Sequence, residues 1–400
     1  VITGFNDSIA WGVTNAQRDL VDWYRITFRD ENMDAYQVDG QWRNTTKKVE
    51  VFRINGGGEF RDTVVLTHLG PIRFDRSFKG KSSRINHAYR WMSHDPSLEM
   101  RTFYQLNKAR NLKDYHDALH FFSTPAQNFI FASVKGDIAV RIQGKFPVRR
   151  PNEGRFVLDG SKSSNEWRRF IPEEHLVRID NPSRGFVSSA NQYPADSTYP
   201  YYITAPSYEA FRNRRINRQL ASMSKATADD MKKLLMDSYS IKGEEAIPLL
   251  LAGLVVDSLN ESEKQALADL KSWNYHYEKD PRGASVFDAW WSSFYTLAWD
   301  EFIDQKPELP VPTSFQTIRL MAENPQLAYF DIKSTPKKEA LTDIILASYR
   351  KAVSTVTDWE KTNGKPATWS AYRSSSVDHL MRLAPLSRPL DSPGNRETIN

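Results

Sequence analysis

The hydrophobic pattern changes period about half-way along this chain, and that change limits the possible folds more than any other feature. The first two hundred residues read mostly as strands. From Leu20 the apolar positions alternate through Tyr24, Ile26 and Phe28, the period of two that marks a half-buried strand. Residues 48–54 and 63–69 flank Asn55-Gly56-Gly57-Gly58, and residues 128–134 and 138–143 flank Lys135-Gly136-Asp137. Both are hairpin signals, because glycine accepts the positive φ that such turns need. A helical stretch over 97–122 separates them. The second half turns helical. Thr227 with Asp230 forms a capping box that opens a helix. Residues 258–272, 284–304 and 341–359 are three further helices, the last ending before Asn363-Gly364, and 307–312 is a proline-rich loop. Hairpins followed by helices predict an α+β layered architecture. No internal repeat or low-complexity segment interrupts it.

Composition removes several classes of function. A net charge of +5 over 400 residues is a weak field, so nothing points to nucleic acid. The absence of cysteine excludes disulfides, thiolate zinc sites and thiol catalysis within this span. The longest apolar run, 247–256, is broken by Pro248 and Gly253 and is too short to span a membrane. The 11 Trp, 17 Tyr and 21 Phe fill a core first, and some can wall a pocket for acyl or aryl groups.

Four segments carry chemistry. In Gly12-Val13-Thr14-Asn15 an apolar strand delivers a small-residue turn, whose backbone N–H groups can serve an oxyanion or merely end a strand. Asp19-Leu20-Val21-Asp22 offers two carboxylates around a carbonyl, hard oxygen ligands suited to Ca²⁺ or simply a solvated turn. Ser188-Ser189-Ala190-Asn191-Gln192-Tyr193-Pro194 contains an Asn that is either a neutral donor or turn chemistry. The segment 208–220 carries Arg212, Arg214, Arg215 and Arg218, with 212 and 215 on one helical face and 214 and 218 on another. His116 and His120 lie one turn apart, but no Glu or third ligand completes a zinc site.

Taken in order, these segments resemble the penicillin acylase family of amide-cleaving enzymes with an N-terminal nucleophile. The resemblance begins at Gly4-Phe5-Asn6-Asp7-Ser8-Ile9-Ala10-Trp11-Gly12-Val13-Thr14-Asn15. It continues through Thr67-His68-Leu69-Gly70-Pro71-Ile72, Phe131–Ile138 and Leu270-Lys271-Ser272-Trp273, and reaches Gly394–Asn400. The family usually has His where Phe5 and Leu69 stand here.

The resemblance implies a four-layer αββα sandwich of the N-terminal nucleophile hydrolase type with an additional, mostly helical region. Residues 1–220 would be the catalytic core, 221–370 the helical region packed on it, and 371–400 a return to the core. The nucleophile would lie on the order of fifty residues before Val1, which would make this chain an inactive fragment of the large subunit. That subunit would pair with a smaller chain cut from the same precursor.

The resemblance also assigns residues. The Asn15 N–H and the Asn191 side chain would hold the oxyanion, and Arg212 would orient Asn191 or a substrate carboxylate. Thr3 and Val13 would line the acyl pocket. Asp19, the Val21 carbonyl, Asp22 and a carbonyl near Gly154 would bind a structural Ca²⁺, while the family's later Asp ligand is missing from Tyr199-Pro200-Tyr201-Tyr202-Ile203. The expected activity is hydrolysis of a small N-acyl amide, such as a penicillin-type β-lactam side chain or an N-acyl homoserine lactone. No organic cofactor, nucleic acid or membrane is implied, and the expected location is periplasmic or secreted. The alternative is a non-catalytic acyl-ligand-binding protein on the same fold.

Overall fold

In the computed structural model, internal contacts divide the chain into two units, Val1–Pro206 and Ser207–Asn400. The structure describes all residues except 76, 77, 81, 83, 204–208 and 304–308. Residue 208 of the arginine segment, residue 304 at the end of one expected helix, and residues 307 and 308 of the proline-rich loop therefore lie outside the described residues.

The first unit opens with β1 (Gly4–Phe5), β2 (Ile9–Asn15), β3 (Val21–Arg25), β4 (Ala35–Val38), β5 (Gln41–Asn44), β6 (Thr46–Arg53), β7 (Glu59–Thr67), β8 (Gly70–Pro71) and β9 (His87–Trp91). Helices α1 (Glu99–Leu106) and α2 (Leu112–Leu119) follow, then β10 (Gln127–Ser133), β11 (Ile138–Gln143), β12 (Leu158–Asp159) and β13 (Arg178–Asp180). An antiparallel sheet runs in the order β1-β2-β10-β11-β13, and a second sheet in the order β12-β3-β9.

Alternation decides which side chains each face presents. Ile9, Trp11, Phe129 and Phe131 share one face and pack under Leu106, Tyr115 and Leu119 of α1 and α2. Ile142 belongs to a second cluster with Ala16, Leu20 and Phe146, and the smaller sheet has a third around Tyr24, Tyr36 and Val65.

Both expected hairpins form, as β6–β7 and β10–β11. The expected helix over 97–122 is two helices. Asn111 caps the second, its side chain accepting from the Asp114 N–H at 2.9 Å, and an Asn cap favours starting a new helix over continuing the old one. At the β7–β8 turn Gly70 has φ +126°, and a Cβ there would lie 2.4 Å from the Tyr89 carbonyl oxygen; only glycine fits.

The second unit holds α3 (Phe211–Ala221), α4 (Ala228–Leu235), α5 (Ile241–Ala252), α6 (Glu261–Ser272), α7 (Arg282–Ala298), α8 (Asp300–Ile303), α9 (Ser314–Glu323), α10 (Leu341–Asn363) and α11 (Trp369–Arg373). The short hairpin β14 (Ser375–Val377) and β15 (Arg388–Leu390) closes it. The Thr227–Asp230 capping box is present, and Gly364 ends α10 with φ 63°, the left-handed C-cap that glycine favours. The core is one continuous cluster in which Phe287, Trp290 and Phe294 of α7 meet Ile344, Tyr349 and Val353 of α10.

Two boundaries differ from the sequence reading. The first division falls near 206 and not at 220, because Phe211 of α3 is buried in the helical core. Residues 371–400 pack inside the second unit, where the Trp369 Nε1–H donates to the Gly394 carbonyl at 2.8 Å and Lys242 pairs with Glu397 at 2.5 Å.

Candidate active site

The end of β2 is where the predicted site residues meet. In an antiparallel pair, successive amides point to opposite sides. Ala16 donates its N–H to the Ala126 carbonyl at 3.1 Å, so the N–H of its neighbour Asn15 points away from β10, toward the β1 side. There β1 pairs only with Ala10 and Trp11. Among the described residues no strand extends that edge to Asn15.

Asn191 comes to the same place from 176 residues away, its side-chain N–H donating to the Asn15 carbonyl at 2.7 Å. Its backbone sits at φ 60°, a left-handed conformation that Asn tolerates better than most residues. Gln192 braces the turn, its side chain accepting from the Ala190 N–H at 2.8 Å and donating to the Ser188 carbonyl at 3.4 Å.

A residue that sequence reasoning missed organises this corner. Asn128, 5% exposed, donates from Nδ2 to Thr14 Oγ1 at 3.1 Å, Ser189 Oγ at 3.0 Å and the Asn15 carbonyl at 3.3 Å. Thr14 and Ser189 join through their hydroxyls at 2.6 Å. One buried amide thus ties β10, β2 and the Asn191 segment together. An Asn at the start of a strand carries no sequence signal for such a role.

Beside Asn15 lies a cleft of about 770 Å³, lined by Gln17, Arg18, Trp23, Trp91, Arg84 and Arg155 among others. Asp19, Val21 and Gly154 also reach it. Thr3 and Val13 do not line it. Val13 packs on the Ile9–Trp11 face, and the Thr3 methyl lies over Gly12.

The predicted calcium ligands Asp19, Val21 and Asp22 converge on one side chain, Arg149. Its Nη1 donates to both Asp22 oxygens at 2.8 and 2.7 Å, and its Nη2 lies 3.5 Å from Asp19 Oδ2 and from the Val21 carbonyl oxygen. The Trp167 Nε1–H donates to Asp22 Oδ2 at 2.5 Å. Burial raises the Asp19 carboxyl to about 6, with Arg149 opposing the shift. A calcium ion on these oxygens would sit against a buried guanidinium and compete for a carboxylate already neutralised, so the residues present do not fit one. Among the described residues no group of three or more His, Cys, Asp or Glu side chains could hold a metal.

His116 and His120 go to different carboxylates, Asp180 at 3.1 Å and Glu173 at 2.6 Å. The arginine helix α3 belongs to the second unit, and three of its arginines form ion pairs. There Arg215 pairs with Asp237 at 2.7 Å, Arg218 with Glu244 at 2.8 Å, and Arg214 with Glu245. Arg212 lies in the first turn of α3, and its proposed role rests on the resemblance alone.

The family model described as penicillin amidase matches residues 1–400. The chain belongs to the penicillin amidase family. Among curated relatives it is 26% identical over 235 residues to the acyl-homoserine lactone acylase QuiP of Pseudomonas aeruginosa, covering 56% of this chain and 28% of that protein. It is 22% identical over 286 residues to the penicillin acylase 2 proenzyme of Pseudomonas sp. (strain SE83), covering 71% of this chain and 36% of that protein. The chain thus matches about a quarter to a third of the length of these relatives. A thermostable penicillin G acylase from Alcaligenes faecalis superposes with a TM-score of 0.70 at 16% identity, over 98% of this chain and 77% of that one. That likeness gives the fold, the α+β architecture of that acylase. Among the described residues no helix of this penicillin amidase family member is long and apolar enough to cross a membrane.

Proposed function

We propose that this penicillin amidase family member is the oxyanion-holding part of an amide hydrolase acting on a small N-acyl amide. The observation that carries the reading is the 2.7 Å bond from the Asn191 side chain to the Asn15 carbonyl. It joins the two proposed donors at one strand end, beside a cleft.

The chemistry follows from what such a corner can do. A nucleophile whose own α-amine acts as base attacks the amide carbon, and an N-terminal amine titrates near ~8, so part of it is neutral at ordinary pH. The carbonyl oxygen becomes an oxyanion. The outward-facing Asn15 N–H and one N–H of the Asn191 amide donate to it, while the other Asn191 N–H is fixed on the Asn15 carbonyl. Collapse expels the amine and leaves an acyl-enzyme, which water hydrolyses to the acid. Both donors are neutral, so they stabilise developing charge without titrating. The aromatic and arginine lining of the cleft, with Trp23, Trp91, Arg84 and Arg155, suits an apolar acyl group attached to a polar or anionic partner.

Two further elements belong to the proposal. The active protein contains a smaller chain cut from a common precursor, and it works in the periplasm or outside the cell. The relative called a proenzyme supports the first.

The test is release of amine from the complete gene product, offered N-acyl homoserine lactones and penicillin G. One amine per acid formed, with a mature N-terminus at Ser, Thr or Cys, is expected. Ligand binding with no amine released from any amide would contradict hydrolysis and favour a binding protein.

A further inference from the structure

Asp19-Leu20-Val21-Asp22 reads as a calcium-binding segment because it places two carboxylates around a carbonyl. In the folded chain those three groups face a cation already, and it is part of the protein. The Arg149 side chain is 4% exposed and that of Asp22 is 1% exposed. Arg149 meets both oxygens of Asp22 within 2.8 Å and reaches Asp19 and the Val21 carbonyl at 3.5 Å. The fork of the guanidinium lets one group serve several oxygens, as a metal ion does. A second cation stands close by. Arg90 lies over the Trp167 ring at 4.7 Å and pairs with Asp95 at 2.8 Å. The Trp167 Nε1–H meanwhile occupies Asp22 Oδ2. A divalent ion entering here would displace these donors and face two guanidinium groups at low dielectric.

We propose that Arg149 is a built-in replacement for a bound divalent cation, holding the 16–22 segment that follows Asn15, so that this protein folds and keeps its site shape without calcium. The anchor is long-range. Arg149 follows β11 by six residues, whereas Asp22 is the second residue of β3, the strand leaving the Asn15 corner. Arg149 is therefore a positioning residue that acts through Asp22 on the cleft wall. The inference rests on this ion cluster and not on the acylase reading, and its readout needs no substrate.

The experiment melts the mature protein, made from the complete gene, in excess EGTA and in millimolar CaCl₂, and counts the calcium retained after dialysis. The expected wild-type result is the same Tm in both and no calcium bound at this cluster. Arg149→Gln should lower the Tm in EGTA by about 10 °C, since it strands a buried carboxylate, and calcium should restore part of that loss. A wild-type Tm that rises saturably with calcium, with both the rise and the bound ion lost in Asp19→Asn, would overturn the proposal. So would an Arg149→Gln protein whose loss calcium leaves untouched, because Arg149 would then be an ordinary core ion pair. Calcium retained equally by wild type and Asp19→Asn binds elsewhere and leaves the proposal standing. Should Arg149→Gln fail to fold, the wild-type and Asp19→Asn arms still decide.

Discussion

Each unit contains an arginine shared between two carboxylates, and the two are built differently. In the second unit Arg282 joins Asp269 of α6 to Glu360 of α10 at 2.5 and 2.8 Å, and all three side chains are 23–24% exposed. Its hydrogen bonds hold the Glu360 carboxyl below the ordinary carboxylate range. In the first unit Arg149 and Asp22 are dry, and burial leaves the neighbouring Asp19 raised despite Arg149. Water decides what each bridge is worth. A wet bridge contributes little and can be lost; a dry one is costly to form and costlier to break on one side. The surroundings match. The second unit has one continuous apolar core that can stand the loss of a rim clamp. The first has three smaller clusters, and the buried polar groups fix the strand end on which the candidate site depends.

The largest effect should come from the second core itself. Trp290 is fully buried, packs edge-on to Tyr349 at 4.6 Å and donates to Ser348 Oγ at 3.1 Å. Trp290→Ala should cost about 3–5 kcal/mol in denaturant unfolding. A cost under ~1 kcal/mol would show that this core is not the single block described.

Asp22→Asn tests the dry bridge directly. It leaves the Arg149 charge buried without its main partner and should cost about 3–5 kcal/mol. Glu360→Gln at the wetter bridge should cost about 1–2 kcal/mol. Equal losses from the two substitutions would break the comparison.

Asn128→Ala sharpens it at the site. Removing an amide that serves three acceptors should cost about 1–3 kcal/mol and lower kcat by about tenfold, as the Asn191 segment loses its tie to β10. Loss of stability at unchanged kcat would make the corner a mere strand junction.

The smallest effect is pH-dependent. The hydrogen bonds from Arg90 hold the Asp95 carboxyl below its usual value. A depressed folded pKa contributes stability that is complete above the unfolded value of 3.8 and is lost as pH falls below it. Asp95 is about a third exposed, so the contribution is under ~1 kcal/mol. Asp95→Asn should destabilise slightly at neutral pH and not at all near pH ~2. A difference that grows as the pH falls would contradict the assignment.

Local features of the fold were legible in the sequence. Gly56, Gly57 and Gly58, with φ of 91–115°, mark the β6–β7 turn, and Thr227–Asp230 marks the start of α4. These are short-range devices whose chemistry lies within a few residues. The pairing of Asn15 with Asn191 was within reach only through the resemblance, since 176 residues separate them. Arg149 was not legible at all, because one arginine in Arg149-Arg150 gives no sign of a carboxylate 127 residues earlier. The reading of Asp19 and Asp22 as calcium ligands used those residues alone, and in the fold Arg149 meets both carboxylates. The single helix expected over 97–122 missed the break at Asn111, whose side chain caps the second helix.

The central claim is that Asn15 and Asn191 hold the oxyanion of an amide hydrolase. The most direct measurement is kcat of Asn191→Gly in the complete, mature protein, set beside its melting temperature. Glycine accepts the φ of 60° at this position, so the backbone is kept and only the donor is removed. The account predicts that kcat falls by about 10²–10³ while the Tm moves by no more than a few degrees. A kcat within threefold of wild type would contradict it.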